Sequence, residues 1–126
     1  MKKKLLVGSL SLALLLPVAA EAAYKSYVGY ALPAFKGNNY TSYHEKQTSD
    51  DYIMNVVENL EKTSSANFWA QDHSGSISSK YNQKKGNTTK INFNTGKSKG
   101  NDVRMAMENG EWSTSTAFVA GRVDFR

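Results

Sequence analysis

The sequence contains no cysteine and only two prolines among its 126 residues. The absence of cysteine excludes disulfide scaffolds, zinc ribbons, thiol nucleophiles and redox motifs. Small exported domains often rely on disulfides because their cores are marginal, so here packing must suffice. Aliphatic side chains are scarce as well: residues 23–126 hold fourteen Val, Ile, Leu and Met in total. After residue 22 no apolar run reaches the roughly 20 residues that a membrane-spanning helix needs, so no transmembrane segment is expected there. Catalytic signatures are equally sparse. There is no Gly-x-Ser-x-Gly elbow, no His-x-x-x-His pair and no calcium-loop pattern.

The one long apolar run stands at the start. Lys2, Lys3 and Lys4 precede the stretch from Leu5 to Leu16, Pro17 ends it, and Ala20-Glu21-Ala22 supplies a small-x-small pattern. Together these predict a cleaved signal peptide over residues 1–22 and a secreted, extracellular product of residues 23–126. That product is 104 residues long, the size of one domain.

What fills this domain is aromatic and polar. Seven Tyr, five Phe and two Trp equal the aliphatics in number, and Asn, Ser and Thr supply thirty-one residues. Aromatics and Thr suit pleated sheets, while Asn, Ser and Gly suit the turns between them. Alternation is clear in several segments. Tyr24, Ser26, Val28, Tyr30 and Leu32 would share one strand face. Tyr40 to Gln47 reads as a second strand, with Tyr43 opposite Tyr40. Residues 51–62 fit both a helical face and a strand, and their strand-like neighbours favour the strand. A short strand is expected near Ile77 to Tyr81. Thr89, Ile91 and Phe93 share a face, as do Val103, Met105 and Met107. Asn109-Gly110 reads as a type I′ hairpin turn into a last strand carrying Ala117, Val119, Gly121, Val123 and Phe125. About seven strands at this spacing predict an all-β fold, a single antiparallel β-sandwich. Its expected core is Val28, Tyr30, Ile91, Phe93, Val103, Met105, Val119 and Val123.

Charge is unevenly spread. Residues 23–126 carry thirteen Lys and Arg against ten Asp and Glu. From Lys80 to Arg104 there are seven bases and a single acid, Asp102. Such a segment attracts anionic polymers, and Lys84, Lys85, Lys90 and Arg104 are its expected contact residues. On alternation, Lys90 and Arg104 point away from the apolar faces, and they share one outer surface if their strands are neighbours. Aromatic rings are the second candidate. Exposed rings offer large contact area at low entropy cost, and Tyr27, Tyr40, Tyr43 and Trp69 are the candidates here. His44 and His73 are the only histidines. With Ser76 or with Asp50, Asp51, Glu58 and Asp72 they are the raw material for a small secreted hydrolase. His44, Glu45, Asp72 and His73 are the metal-ligand types present, with no spacing that links them.

The run Tyr40-Thr41-Ser42-Tyr43-His44, the pair Val56-Val57 and the segment Asn67-Phe68-Trp69-Ala70 follow one another in a recognisable order. In these residues the chain resembles the lactococcin-like class of exported bacteriocins of Gram-positive bacteria. That resemblance covers about thirty residues, and the family's aromatic C-terminus is not matched by Val123-Asp124-Phe125-Arg126. It implies a cysteine-free β-sandwich that acts on a lipid-linked cell-wall precursor, with Tyr40, Tyr43, His44 and Trp69 in the shared motifs. The expectation is therefore a non-enzymatic protein of bacterial envelopes, bacteriocin-like or cell-wall-binding. Its expected partner is an anionic wall polymer or lipid-linked precursor, not nucleic acid, and no cofactor, metal or catalytic residue is assigned. The alternatives are the hydrolase and a structural matrix or coat component.

Overall fold

Alternation of apolar and polar residues turns into strands wherever one face can be buried, and the computed structural model shows this over most of its length. It describes residues 24–126; the leader expected over residues 1–22 lies outside the described residues. Ten strands follow in order: β1 (Tyr24–Leu32), β2 (Asn39–Tyr40), β3 (His44–Glu45), β4 (Tyr52–Glu61), β5 (Ala66–Asp72), β6 (Gly75–Ser76), β7 (Tyr81–Gln83), β8 (Thr88–Asn92), β9 (Asp102–Asn109) and β10 (Ala117–Asp124). A 3-10 turn, Ala34–Lys36, follows β1. All pairings are antiparallel. The first sheet runs β1-β10-β4-β8. The second runs β2-β9-β5-β6, with β3 also on β9 and β7 also on β5. Residues 51–62 are strand. Among the described residues no helix is long and apolar enough to cross a membrane.

The core lies between the sheets. Ile53, Val57, Ile91, Val119 and Val123 from the first sheet pack with Phe68, Ala70, Val103, Met105 and Met107 from the second. Five of the eight expected core residues are buried here, and Tyr30 and Phe93 pack against them half-buried. Val28 is the exception, with 80 % of its surface exposed. A bulge between Tyr27 and Tyr30 is the cause. Gly29 sits there at φ 64°, where a side chain would be strained. The irregularity inverts the face of everything before it, so Tyr27 turns inward and Val28 outward.

Buried Tyr27 begins a polar chain through the core. Its hydroxyl donates to Asn55 Oδ1 at 2.8 Å, and Asn55 Nδ2 donates to Gln83 Oε1 at 2.9 Å. Gln83 Nε2 then donates to the carbonyls of Asn55 and Asn87. Gly121 makes room for it. A Cβ at that position would fall on the Val56 carbonyl and 2.7 Å from Tyr27 Oη.

The expected hairpin at Asn109-Gly110 does not form. β9 pairs with β5, whereas β10 pairs with β1 and β4, so the segment between them crosses from one sheet to the other. Turn propensity is local, and here tertiary pairing overrides it. The Gly110 N–H donates to the Ser65 carbonyl at 2.9 Å instead. The short strand expected near Ile77 to Tyr81 lies slightly later, at β7.

These contacts set two stability tests. Tyr27→Phe strands the Asn55 acceptor and lowers unfolding stability by about 1–3 kcal/mol in urea titration. Gly121→Ala costs a similar amount or more, because backbone and ring cannot both give way. Burial pushes the Tyr27 hydroxyl pKa up, with the Asn55 bond offsetting part of that rise. Its stabilising share is complete below about pH 10, where an unfolded tyrosine ionises, and is lost as pH rises further. Tyr27→Phe removes that share of the alkaline loss.

Candidate functional site: a cationic and aromatic face on the second sheet

The outer face of the second sheet is built by even positions of β9 and odd positions of β5. Register pairs Arg104 with Gln71, Ala106 with Trp69, and Glu108 with Asn67. β2 and β3 complete it through an extra residue. Tyr40 pairs with Ala106 and His44 with Val103, so four steps on one strand meet three on the other. At the interruption, Thr41 is buried; its N–H donates to the Met105 carbonyl and its Oγ1 accepts from the Met105 N–H. The irregularity corrects the expectation that Tyr40 and Tyr43 lie on opposite faces. Both rings meet Arg104.

The Arg104 guanidinium lies 3.9 Å from the Tyr40 ring centroid and 4.8 Å from that of Tyr43. Its Nε donates to Gln71 Oε1 at 3.0 Å. Its two terminal amino groups make no hydrogen bond or ion pair among the described residues. Tyr43 also stacks on His73 at 4.0 Å, and the His73 Nε2 lies 3.3 Å from Asp102 Oδ2. A guanidinium held against two rings and one side-chain acceptor loses little entropy on binding. Its terminal amino groups match the paired oxygens of a phosphate or carboxylate.

Farther along the same face lies Trp69, which is 4 % exposed, with Lys80 Nζ over its ring 4.6 Å from the centroid. Glu108 holds that lysine at 3.1 Å, with Lys36 at 3.8 Å on its other oxygen. Burial pushes the Glu108 pKa up, but bonds from Asn67 and Lys80 and the lysine charges outweigh it and hold it below its usual value. No spacing in the sequence joins Lys80, Glu108, Gln71 and His73 into one surface. The alternation of β9 marks Glu108 as outward, but only strand pairing shows what stands beside it.

The remaining candidates lie elsewhere. Tyr27 is core, buried to within 3 % of its surface, and reaches only the floor of a hollow beside His44. His44 stacks on Phe125 at 4.4 Å and lines a hollow of about 390 Å³ with Tyr24, Ser26, Tyr30 and Ser42. Burial and the Lys25 charge lower its pKa. No carboxylate lines that hollow, and His73 sits with Asp102 on an open face. Lys84 and Lys85 are exposed in the turn between β7 and β8. Lys90 is on the outer face of the first sheet, 4.4 Å over the Tyr52 ring. The expectation that Lys90 and Arg104 share a surface is therefore corrected. β8 pairs with β4 and β9 with β5, so the two cations point from opposite faces of the sandwich. The crossing between them is tied to both sheets. Lys97 donates its N–H to Asp51 and sets its ammonium 2.6 Å from Asp72, whose pKa that bond lowers. Among the described residues no group of three or more His, Asp and Glu is placed to hold a metal.

In comparisons with known proteins, no family model and no curated protein matches this chain.

The Glu108 cluster makes an acid transition measurable. Because its folded pKa is depressed, its stabilising share is present above the unfolded value of about 4.3 and is lost as pH falls through the folded value. In a Trp112→Phe background, Trp69 emission is expected to change over that acid range, as Lys80 leaves the ring. Glu108→Gln abolishes the transition.

Proposed function

We propose that this chain is a secreted binding protein of bacterial envelopes, bacteriocin-like or cell-wall-binding, that recognises phosphate-bearing wall material through Arg104. The carrying observation is the guanidinium held against both Tyr40 and Tyr43, with no hydrogen bond or ion pair at its terminal amino groups among the described residues. An anionic wall polymer and a lipid-linked wall precursor both present phosphate beside sugar. Arg104 suits the phosphate, and the half-open Tyr40 ring suits the sugar's apolar face. The net positive charge of residues 23–126, with Lys90 on the opposite face and Lys84 and Lys85 exposed in the turn between the sheets, supports long-range attraction to such a surface.

The two contributions separate experimentally. The purified protein is expected to sediment with anionic cell walls at low salt and to be released at high salt, since the Debye length falls from about 10 Å at 0.1 M to about 3 Å at 1 M. Arg104→Lys keeps the charge but loses the planar fork, and should weaken binding about tenfold, the loss of one charge-assisted bond. Replacing Lys84, Lys85 and Lys90 by Gln should reduce the salt dependence and leave most of the affinity. The reverse pattern would assign wall contact to the lysine edge and overturn the role of Arg104. Added to growing Gram-positive cells, the protein separates the two forms of the proposal: killing marks the bacteriocin-like form, and association without killing marks a wall binder.

A further inference from the structure

Phe35 and Trp112 stand out at one end of the sandwich. They are 63 % and 66 % exposed, and they touch each other with ring centroids 5.6 Å apart. They come from distant parts of the chain, the 3-10 turn after β1 and the sheet-crossing segment before β10. Their contact is built into the backbone. Phe35 has φ 61° and ψ 32°, and Lys36 follows at φ 57°, two consecutive left-handed residues that are not glycine. Each such residue costs of order 1 kcal/mol unless its surroundings impose it. Here the Phe35 N–H donates to the Ser113 carbonyl at 2.7 Å, which locks the ring against Trp112 and outward.

The surroundings narrow the choice of partner. The rings are inclined at 59°, so they form a wedge and not the flat platform on which a sugar stacks. Two side chains fall far short of the roughly 800 Å² per partner of a stable protein interface, which argues against a second copy. Beside the wedge, Thr114, Ser115 and Thr116 are exposed hydroxyl residues. Glu111 is engaged by the hydroxyls of Thr63 and Ser64. Lys62, on that same turn, is exposed and makes no ion pair among the described residues, whereas the Lys36 ammonium lies 3.8 Å from Glu108. Exposed rings with neighbouring hydroxyl residues and the unpaired Lys62 suit the boundary of a bilayer, where aromatic rings and polar headgroups meet.

We infer that the Phe35–Trp112 wedge is a lipid-surface contact, which inserts its two rings at the acyl boundary of a phospholipid bilayer while Lys62 meets the phosphates. The two rings lie outside the Arg104 contacts, and the inference does not depend on the role of Arg104.

Trp112 reports on the inference directly, because Trp69 is buried and supplies a constant background. With vesicles of phosphatidylglycerol or of phosphatidylcholine, Trp112 emission is expected to shift to the blue and to be quenched by brominated acyl chains, more strongly on the anionic lipid. Phe35→Asn removes the ring while keeping a residue that tolerates the left-handed backbone. It should lower the vesicle partition constant about tenfold or more, the loss expected when one large ring no longer leaves water. Its melting temperature verifies the fold. Phe35→Asn should leave sedimentation with walls unchanged, so failure of either reading is visible separately. An absent shift, or one that Phe35→Asn does not reduce, overturns the inference. So does a blue shift that grows with protein concentration without vesicles, which would assign the wedge to self-association.

Discussion

The sandwich is organised around a polar chain in its core, from the Tyr27 hydroxyl to Asn55 to Gln83. Polar groups removed from water cost several kcal/mol unless each finds a partner. The geometry around this chain is therefore tightly constrained. Tyr27 comes from β1 and Asn55 from β4 of the first sheet, while Gln83 comes from β7 of the second. A slip of either sheet would break bonds that water cannot replace. The neighbouring irregularities serve this arrangement. The bulge at Gly29 turns Tyr27 inward, and Gly121 leaves space for its ring. Gln83 also holds the Asn87 carbonyl, while Val57 exchanges backbone bonds with Asn87 and Gly86. The turn bearing Lys84 and Lys85 is thereby pinned to the edge of β4. In a chain with no disulfide and few aliphatics, this network supplies specificity that bulk apolar packing alone would leave loose.

A second irregularity shapes the candidate surface. One extra residue between Tyr40 and His44 puts two tyrosines on a single face, and Arg104 lies against both. Glu108 gathers Lys36, Lys80 and Asn67 on the same sheet, and Lys80 in turn lies over Trp69. Much of the positive charge on this face is thus already paired. Arg104 differs because its contacts are two rings and a neutral amide, which hold it without neutralising it.

The two sheets present different chemistry. On the first, Arg122 lies over Tyr24 and pairs with Glu58, and Lys90 and Arg126 lie over Tyr52. On the second, the cations and rings converge on Arg104 and Trp69. The aromatic richness of the sequence therefore has two destinations. Tyr27, Phe68 and Phe125 substitute for missing aliphatics in the core. Tyr24, Tyr40, Tyr43, Tyr52 and Trp69 hold cations on the outside.

Sequence alone determined the fold class, because burial of one face imposes a period of two that survives in β4, β8, β9 and β10 whatever they pair with. Ile91, Val103, Met105, Val119 and Val123 are legible in this way. Sequence also nominated Tyr40, Tyr43, Trp69 and Arg104, by residue type and by strand alternation. It could not show that they share one face. That depended on an inserted residue at Thr41 to Tyr43, which shifts register without any glycine to mark it. Nor could it reveal that Asn109-Gly110 joins two sheets instead of two hairpin strands, or that Lys90 and Arg104 face opposite ways. Strand order is set by which apolar faces meet across the core and by which buried polar groups find partners. Those are contacts between residues far apart in the chain, and only the tertiary structure decided them.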